Sequence, residues 1–161
     1  MRSGTWLAGV GMVGIMLCWS AYGQTSTSTP APQGIARVER ELLAAVNQAR
    51  RVQGMSALRW DESLAAAARR HAEVMLEHGS TGHAFGGEPS LSMRAKQAGV
   101  HFGWLSENVM QGPSAEFIHE QFMKSAPHRA NILDREMDSI GVGVVEQGGE
   151  LFVVEDFAQE R

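Results

Sequence analysis

From Ile35 onward the apolar positions fall into spacings that sort the chain into elements. In IARVERELLAAVNQARRVQG, Val38, Leu42, Val46, Ala49 and Val52 recur at three- and four-residue steps, while Arg37, Glu41, Gln48 and Arg51 take the other side. That spacing predicts a helix with one buried stripe, closed at Gly54. The stretch LRWDESLAAAARRHAEVMLEHG predicts a second helix, with Asp61 as N-cap, Glu62 at its positive end and Gly79 as its stop. Its stripe is Leu64, Ala68, His71 and Met75, and its many alanines imply close approach to a neighbour. A short helix is expected near Ser90 to Ala98. VHFGWLSENVM then has the β-branched and aromatic composition of a strand. Ser114 is placed to cap a fourth helix with the stripe Ala115, Ile118, Phe122 and Ser125, and a single turn is expected around Arg129 to Leu133.

The segment SIGVGVVEQGGELFVVEDF reads as two strands flanking QGG, an antiparallel hairpin. Because strand neighbours alternate sides, Gly141 and Gly143 share one face and Ile140, Val142 and Val144 the other. Something is therefore expected to pack tightly over the two glycines. The order helix, helix, short helix, strand, helix, hairpin describes an α+β domain, a small antiparallel sheet with helices enough to cover both faces.

The beginning of the chain differs. Met1-Arg2 is followed by an uncharged apolar run ending in Ala21-Tyr22-Gly23, which reads as a secretory signal peptide over residues 1–23. The run is shorter than a spanning helix needs, so no stable membrane span is expected once it is removed. Residues 24–34, rich in Ser, Thr and Pro, read as a tether, and residues 35–161 as one domain. Cys18, the only cysteine, follows a bulky leucine where a lipid-attachment signal places a small residue, and it leaves with the leader. Stability must then come from packing, although an extracytoplasmic compartment permits disulfides. The whole chain carries a formal charge of −4, and losing Arg2 makes the remainder one unit more negative. With no Lys/Arg cluster, that balance argues against nucleic acid as a partner.

The 6 histidines divide by context. His71 and His78 lie seven residues apart on one helix, about 10 Å of rise, too far to share a metal ion. His71, on an apolar stripe, reads as a hydrogen-bonded core histidine, and His119 as part of a solvated flank; His101 has no evident partner. His83, in the glycine-rich loop GSTGHAFGGEP, and His128, just after Pro127, lie outside the expected regular elements, where binding groups concentrate. Glu107 is the acid to join them, since alternation puts Glu107 and Asn108 on opposite faces, one toward a cleft and one toward backbone.

Six segments in order carry a resemblance: VNQAR (46–50), LRWDESLAAAARRHAEVM (58–75), HAF from His83, ENV (107–109), SAPHRANIL (125–133) and IGVGV (140–144). Together they resemble the CAP superfamily, the cysteine-rich secretory, antigen-five and pathogenesis-related proteins, in its bacterial form. The resemblance runs from about Leu42 to Phe157 and implies an α-β-α sandwich with a shallow central cavity. It implies that His83, Glu107, Ser125 and His128 line that cavity, and that His83 and His128 are the pair able to take zinc or another divalent cation. Ser125 stands where many eukaryotic members carry a second acid, Glu155 stands in place of a family glutamine, and the eukaryotic disulfides are absent.

Two functional expectations follow. One is a secreted or periplasmic binding module for a peptide, glycan or lipid, its cavity holding a cation between two neutral imidazoles. The other is a metal-dependent hydrolase with Glu107 as general base and His128 beside it. Against the second, the chain has neither a nucleophile elbow nor an H-E-x-x-H helix.

Overall fold

The computed structural model describes residues 32–160. The expected leader over 1–23 and most of the tether lie outside the described residues. Helix α1 spans Pro32–Val52, so the last three residues of the expected tether belong to the domain. Strand β1 (Arg59–Trp60) and helices α2 (Glu62–His78) and α3 (Leu91–Gln97) follow. Strand β2 (Phe102–Gly112), helices α4 (Ala115–Lys124) and α5 (Ala126–Ile132), and strands β3 (Ser139–Gln147) and β4 (Glu150–Glu160) complete the chain. No helix of the described residues is long and apolar enough to cross a membrane.

The sheet has the order β1-β3-β4-β2. The three long strands are antiparallel, and β1 adds a two-residue parallel pairing to β3. That edge strand was unforeseen, since two residues are too few to show a period. Asn47 on α1 holds it in place: its amide donates to the Leu58 carbonyl at 3.0 Å and its oxygen accepts from the Leu58 N–H at 2.7 Å. Asn47→Ala is expected to cost about 1–2 kcal/mol in urea denaturation, because it strands both backbone groups. Arg50, one turn further along α1, is almost fully buried and donates to the carbonyls of Ser56, Ile132, Asp134 and Met137.

The turn of the β3–β4 hairpin is Gly148-Gly149, with φ of 64° and 85°. Two successive positive values match the right-handed twist of the flanking strands, which is why two glycines stand there. One face of the sheet packs on α1, α4 and α5 through Leu42, Val46, Ile118, Phe122, Ile132 and the inward strand residues Ile140, Val142 and Val144. The other face takes α2 and α3. The caps are those the sequence predicts. Asp61 accepts from the N–H groups of Ser63 and Leu64, Gly79 ends α2 in the left-handed conformation, and Ser114 accepts from the N–H of Phe117.

Helices thus lie on both faces of one sheet, an α-β-α sandwich. Strand β2 is an outer strand, and the chemistry gathers there.

Candidate functional site

On β2 the pairing register sets Glu107 opposite Asp156 and Asn108 opposite Glu155. Directly opposed residues share a face, so the first pair looks toward α2 and α3 and the second toward α1, α4 and α5. Both faces are covered, and Asn108, Glu155 and Asp156 are 0% exposed. Four polar side chains are therefore buried side by side at the centre of a sandwich.

On the α2 side, Glu107 is held from three directions. Its Oε1 accepts from His83 Nδ1 at 2.9 Å, its Oε2 accepts from Arg94 Nη2, and His71 Nε2 lies 3.7 Å from that same oxygen. Arg94 also reaches the carbonyls of His83 at 3.4 Å and Pro89 at 3.2 Å, and lies 3.5 Å from Glu88. One guanidinium thus ties the loop bearing His83 to the carboxylate that orients its ring. His71 fixes the rest of the loop, its Nε2 donating to the Gly82 carbonyl at 2.8 Å and its Nδ1 lying 2.6 Å from a Glu88 carboxyl oxygen. Phe85 of the same loop stacks on His78 with ring centroids 4.4 Å apart. Asp156 completes the cluster with both oxygens buried and unpartnered. Burial, and secondarily the neighbouring Glu107 charge, push its carboxyl well above the ordinary range while Arg94 opposes them. A proton on Asp156 avoids two carboxylates side by side in a dry interior.

On the other face Asn108 is the hub. Its amide donates to the His128 carbonyl and to Glu155 Oε2, each at 3.2 Å, and its oxygen accepts from Asn131 at 2.9 Å. The Asn131 amide also donates to the Glu107 carbonyl at 3.2 Å. Burial raises the Glu155 pKa to about 8, offset in part by the Asn108 hydrogen bond. The His128 ring tilts against Phe122 with centroids 5.0 Å apart, and its Nδ1 is buried without a partner. Desolvation, then the nearby His83, depress its pKa, so the two histidines feel each other although they come from opposite layers. The His83 side chain is 62% exposed while its carboxylate partner is 3% exposed, so the pair opens outward from a fixed base.

Several sequence expectations need correction. His128 lies within α5, not in a loop after a helix stop. Pro127 would clash with the carbonyl of Met123 if α4 continued, yet it is well tolerated in the first turn of a new helix. The break falls on Ser125, the one extended residue (φ −89°, ψ 120°) joining α4 to α5; it is partly buried and makes no capping hydrogen bond. His119 is not on a solvated flank: its Nδ1 is buried without a partner, and desolvation lowers its pKa. His71 is a hydrogen-bonded core histidine as expected, and it is also part of the cluster around Glu107.

Sequence reasoning missed Glu88, Arg94 and Asp156. A signal was present for the last, because Glu155-Asp156 interrupts an apolar strand that helices cover on both sides. Nothing in the spacing of Glu88 or Arg94 marks them. Among the described residues no group of three or more His, Cys, Asp or Glu side chains is arranged to hold a metal ion. A cavity of about 520 Å³ lined by Arg50, Arg59, Arg135, Asp138 and Glu160 lies near the β1 edge, the side of the sheet away from β2.

Comparison with known proteins agrees with the fold. The family model described as "Cysteine-rich secretory protein family" (CAP) matches residues 43–157. The Bacillus subtilis (strain 168) protein YkwD is 31% identical over 126 residues, which cover 78% of this chain and 49% of that protein. The chain therefore spans about half the length of this curated relative. An extracellular protein containing an SCP domain from Bacillus anthracis superposes with a TM-score of 0.73 at 21% identity, over 83% of this chain and 45% of that one. An outer surface protein from Borrelia burgdorferi gives the same TM-score at 16% identity, over 83% of this chain and 98% of that one. At those identities the two structures speak to the fold alone.

Proposed function

The chain belongs to the CAP family of cysteine-rich secretory proteins, and from that premise we propose that it is an extracytoplasmic binding module whose His83 and His128 together take a divalent cation. The observation that carries this is the state of the two rings. Glu107 accepts from Nδ1 of His83, which leaves Nε2 as the nitrogen with a free lone pair. His128 carries a partnerless buried Nδ1, and its depressed pKa favours the neutral ring that a metal requires. Imidazole donors suit zinc, and two protein ligands would leave positions for water or for a group on the bound partner. An extracytoplasmic setting is supported by the leader-like first 23 residues and by membership of a family described as cysteine-rich secretory proteins.

Binding is favoured over hydrolysis by the engagement of Glu107. Both its oxygens already accept a hydrogen bond, one from His83 and one from Arg94, and its side chain is buried, so the expected general base is engaged in holding its neighbours rather than open to a substrate.

Calorimetric titration with zinc tests the site. Wild type is expected to bind one equivalent, His83→Ala and His128→Ala to bind more weakly, and the double variant not at all. Stoichiometric binding by the double variant would remove the assignment. Affinity should also fall as pH drops below about 6.5, where free imidazole protonates, and burial moves the protonation of His128 itself to lower pH.

A further inference from the structure

His83 and His128 reach the outer strand β2 from opposite layers, so their separation depends on how α5 is held against that strand. Two asparagine side chains supply the connection. Asn131 on α5 donates to the main-chain oxygen of Glu107 and to the side-chain oxygen of Asn108, and Asn108 in turn donates to the main-chain oxygen of His128. The loop of three hydrogen bonds runs from the residue that orients His83 to the residue beside which His83 must act. No other side-chain hydrogen bond among the described residues joins α5 to β2. Glu155 closes the base of this arrangement by accepting the remaining Asn108 hydrogen.

We infer that Asn108 and Asn131 are positioning residues that hold His128 in register with the His83–Glu107 pair, and so set how well the two imidazoles act as one site. Residue type matters here. Each amide uses both a donor and an acceptor, or two donors, in directions that neither a carboxylate nor a hydroxyl reproduces. Arg94 does the corresponding work for His83 on the far layer, but removing it would strand two buried carboxylates and confound any test. Asn131 sits at a partly buried position and can be changed without leaving a charge behind.

The effect on cation affinity rests on the binding function proposed above, whereas the effect on geometry does not, and the experiment separates them. Nitroxide labels on Ala84→Cys and Arg129→Cys, both exposed sites, in a Cys18→Ser background report the separation of the His83 loop from α5 without metal. Wild type should show one narrow distance distribution, and Asn131→Ala and the near-isosteric Asn131→Asp should broaden it. Asn47→Ala, which loosens β1 at the other edge of the sheet, should leave it unchanged. Zinc affinity should fall about 10- to 100-fold in the Asn131 variants, the range typical of groups that orient metal ligands. Unbroadened distances in both folded Asn131 variants would overturn the inference. So would equal broadening in Asn47→Ala, which would signify general loosening, or wild-type zinc affinity in variants whose distances do broaden. Should the wild type bind no zinc, the cation function falls, and the label distances still decide whether Asn131 places His128.

Discussion

Replacing Gly143 or Gly141 with alanine is expected to cost at least about 3 kcal/mol, a large part of the stability of a domain this size. A Cβ at Gly143 would stand 2.2 Å from the Ala68 carbonyl carbon and from the Arg69 nitrogen. One at Gly141 would stand 2.1 Å from the Ala65 nitrogen and 2.3 Å from the Leu64 carbonyl carbon. These are backbone atoms of α2, so no side chain can rotate away and the whole helix must lift from the sheet. Lifting it also disturbs Ala68, Ala72 and Met75, which pack against Val154 and Phe152. Thermal denaturation should show a fall in Tm of roughly 10 °C or more for either variant. A fall of only a few degrees would mean that α2 does not ride directly on the glycines. Because His71 sits on the same helix and pins the Gly82 carbonyl, lifting it should also release the loop that carries His83.

The second large effect concerns the buried acids. Glu155 is fully buried with a folded-state pKa of about 8, against an ordinary value of 4.5. The native state therefore holds a proton that the unfolded chain releases. A group whose pKa is raised on folding contributes stability that is complete below the unfolded value and is lost as pH rises through the folded one. Stability should accordingly fall between about pH 4.5 and pH 8, by up to about 1 kcal/mol per pH unit from this residue. Asp156, raised by burial and by Glu107, acts in the same direction. His128 acts in the opposite one: its depressed pKa removes stability as pH falls below 6.5. Glu155→Gln keeps an oxygen for the Asn108 amide but cannot ionise. At pH 8 and above it should be more stable than wild type by on the order of 3 kcal/mol, and close to wild type at pH 5. Urea titrations at the two pH values measure the difference. An equal change at both would mean that Glu155 is already ionised in the folded protein.

Both expectations bear on the candidate site, since the glycines seat the layer that carries His83 and Glu155 underlies the layer that carries His128. They also differ in how visible they were from the chain. Alternation alone put Gly141 and Gly143 on one face and called for a closely packed neighbour, and the alanine-rich helix was the natural partner. Strand alternation likewise separated Glu107 from Asn108. By contrast, a charged residue inside a strand does not announce whether it faces water, and it is burial in the folded domain that places Glu155.

The chain by itself determined the periodic elements, their caps and stops, the hairpin about its glycine pair and, through six ordered segments, the family to which the domain belongs. These rest on local physics: side-chain spacing, backbone conformations open only to glycine, and hydrogen bonds within a turn. Only the tertiary structure decided that β1 adds to the sheet and that Arg94, Glu88, His71 and Asp156 converge on Glu107. Those follow from contacts between residues tens of positions apart, whose burial and charge states exist only once two layers of helix have closed over the sheet.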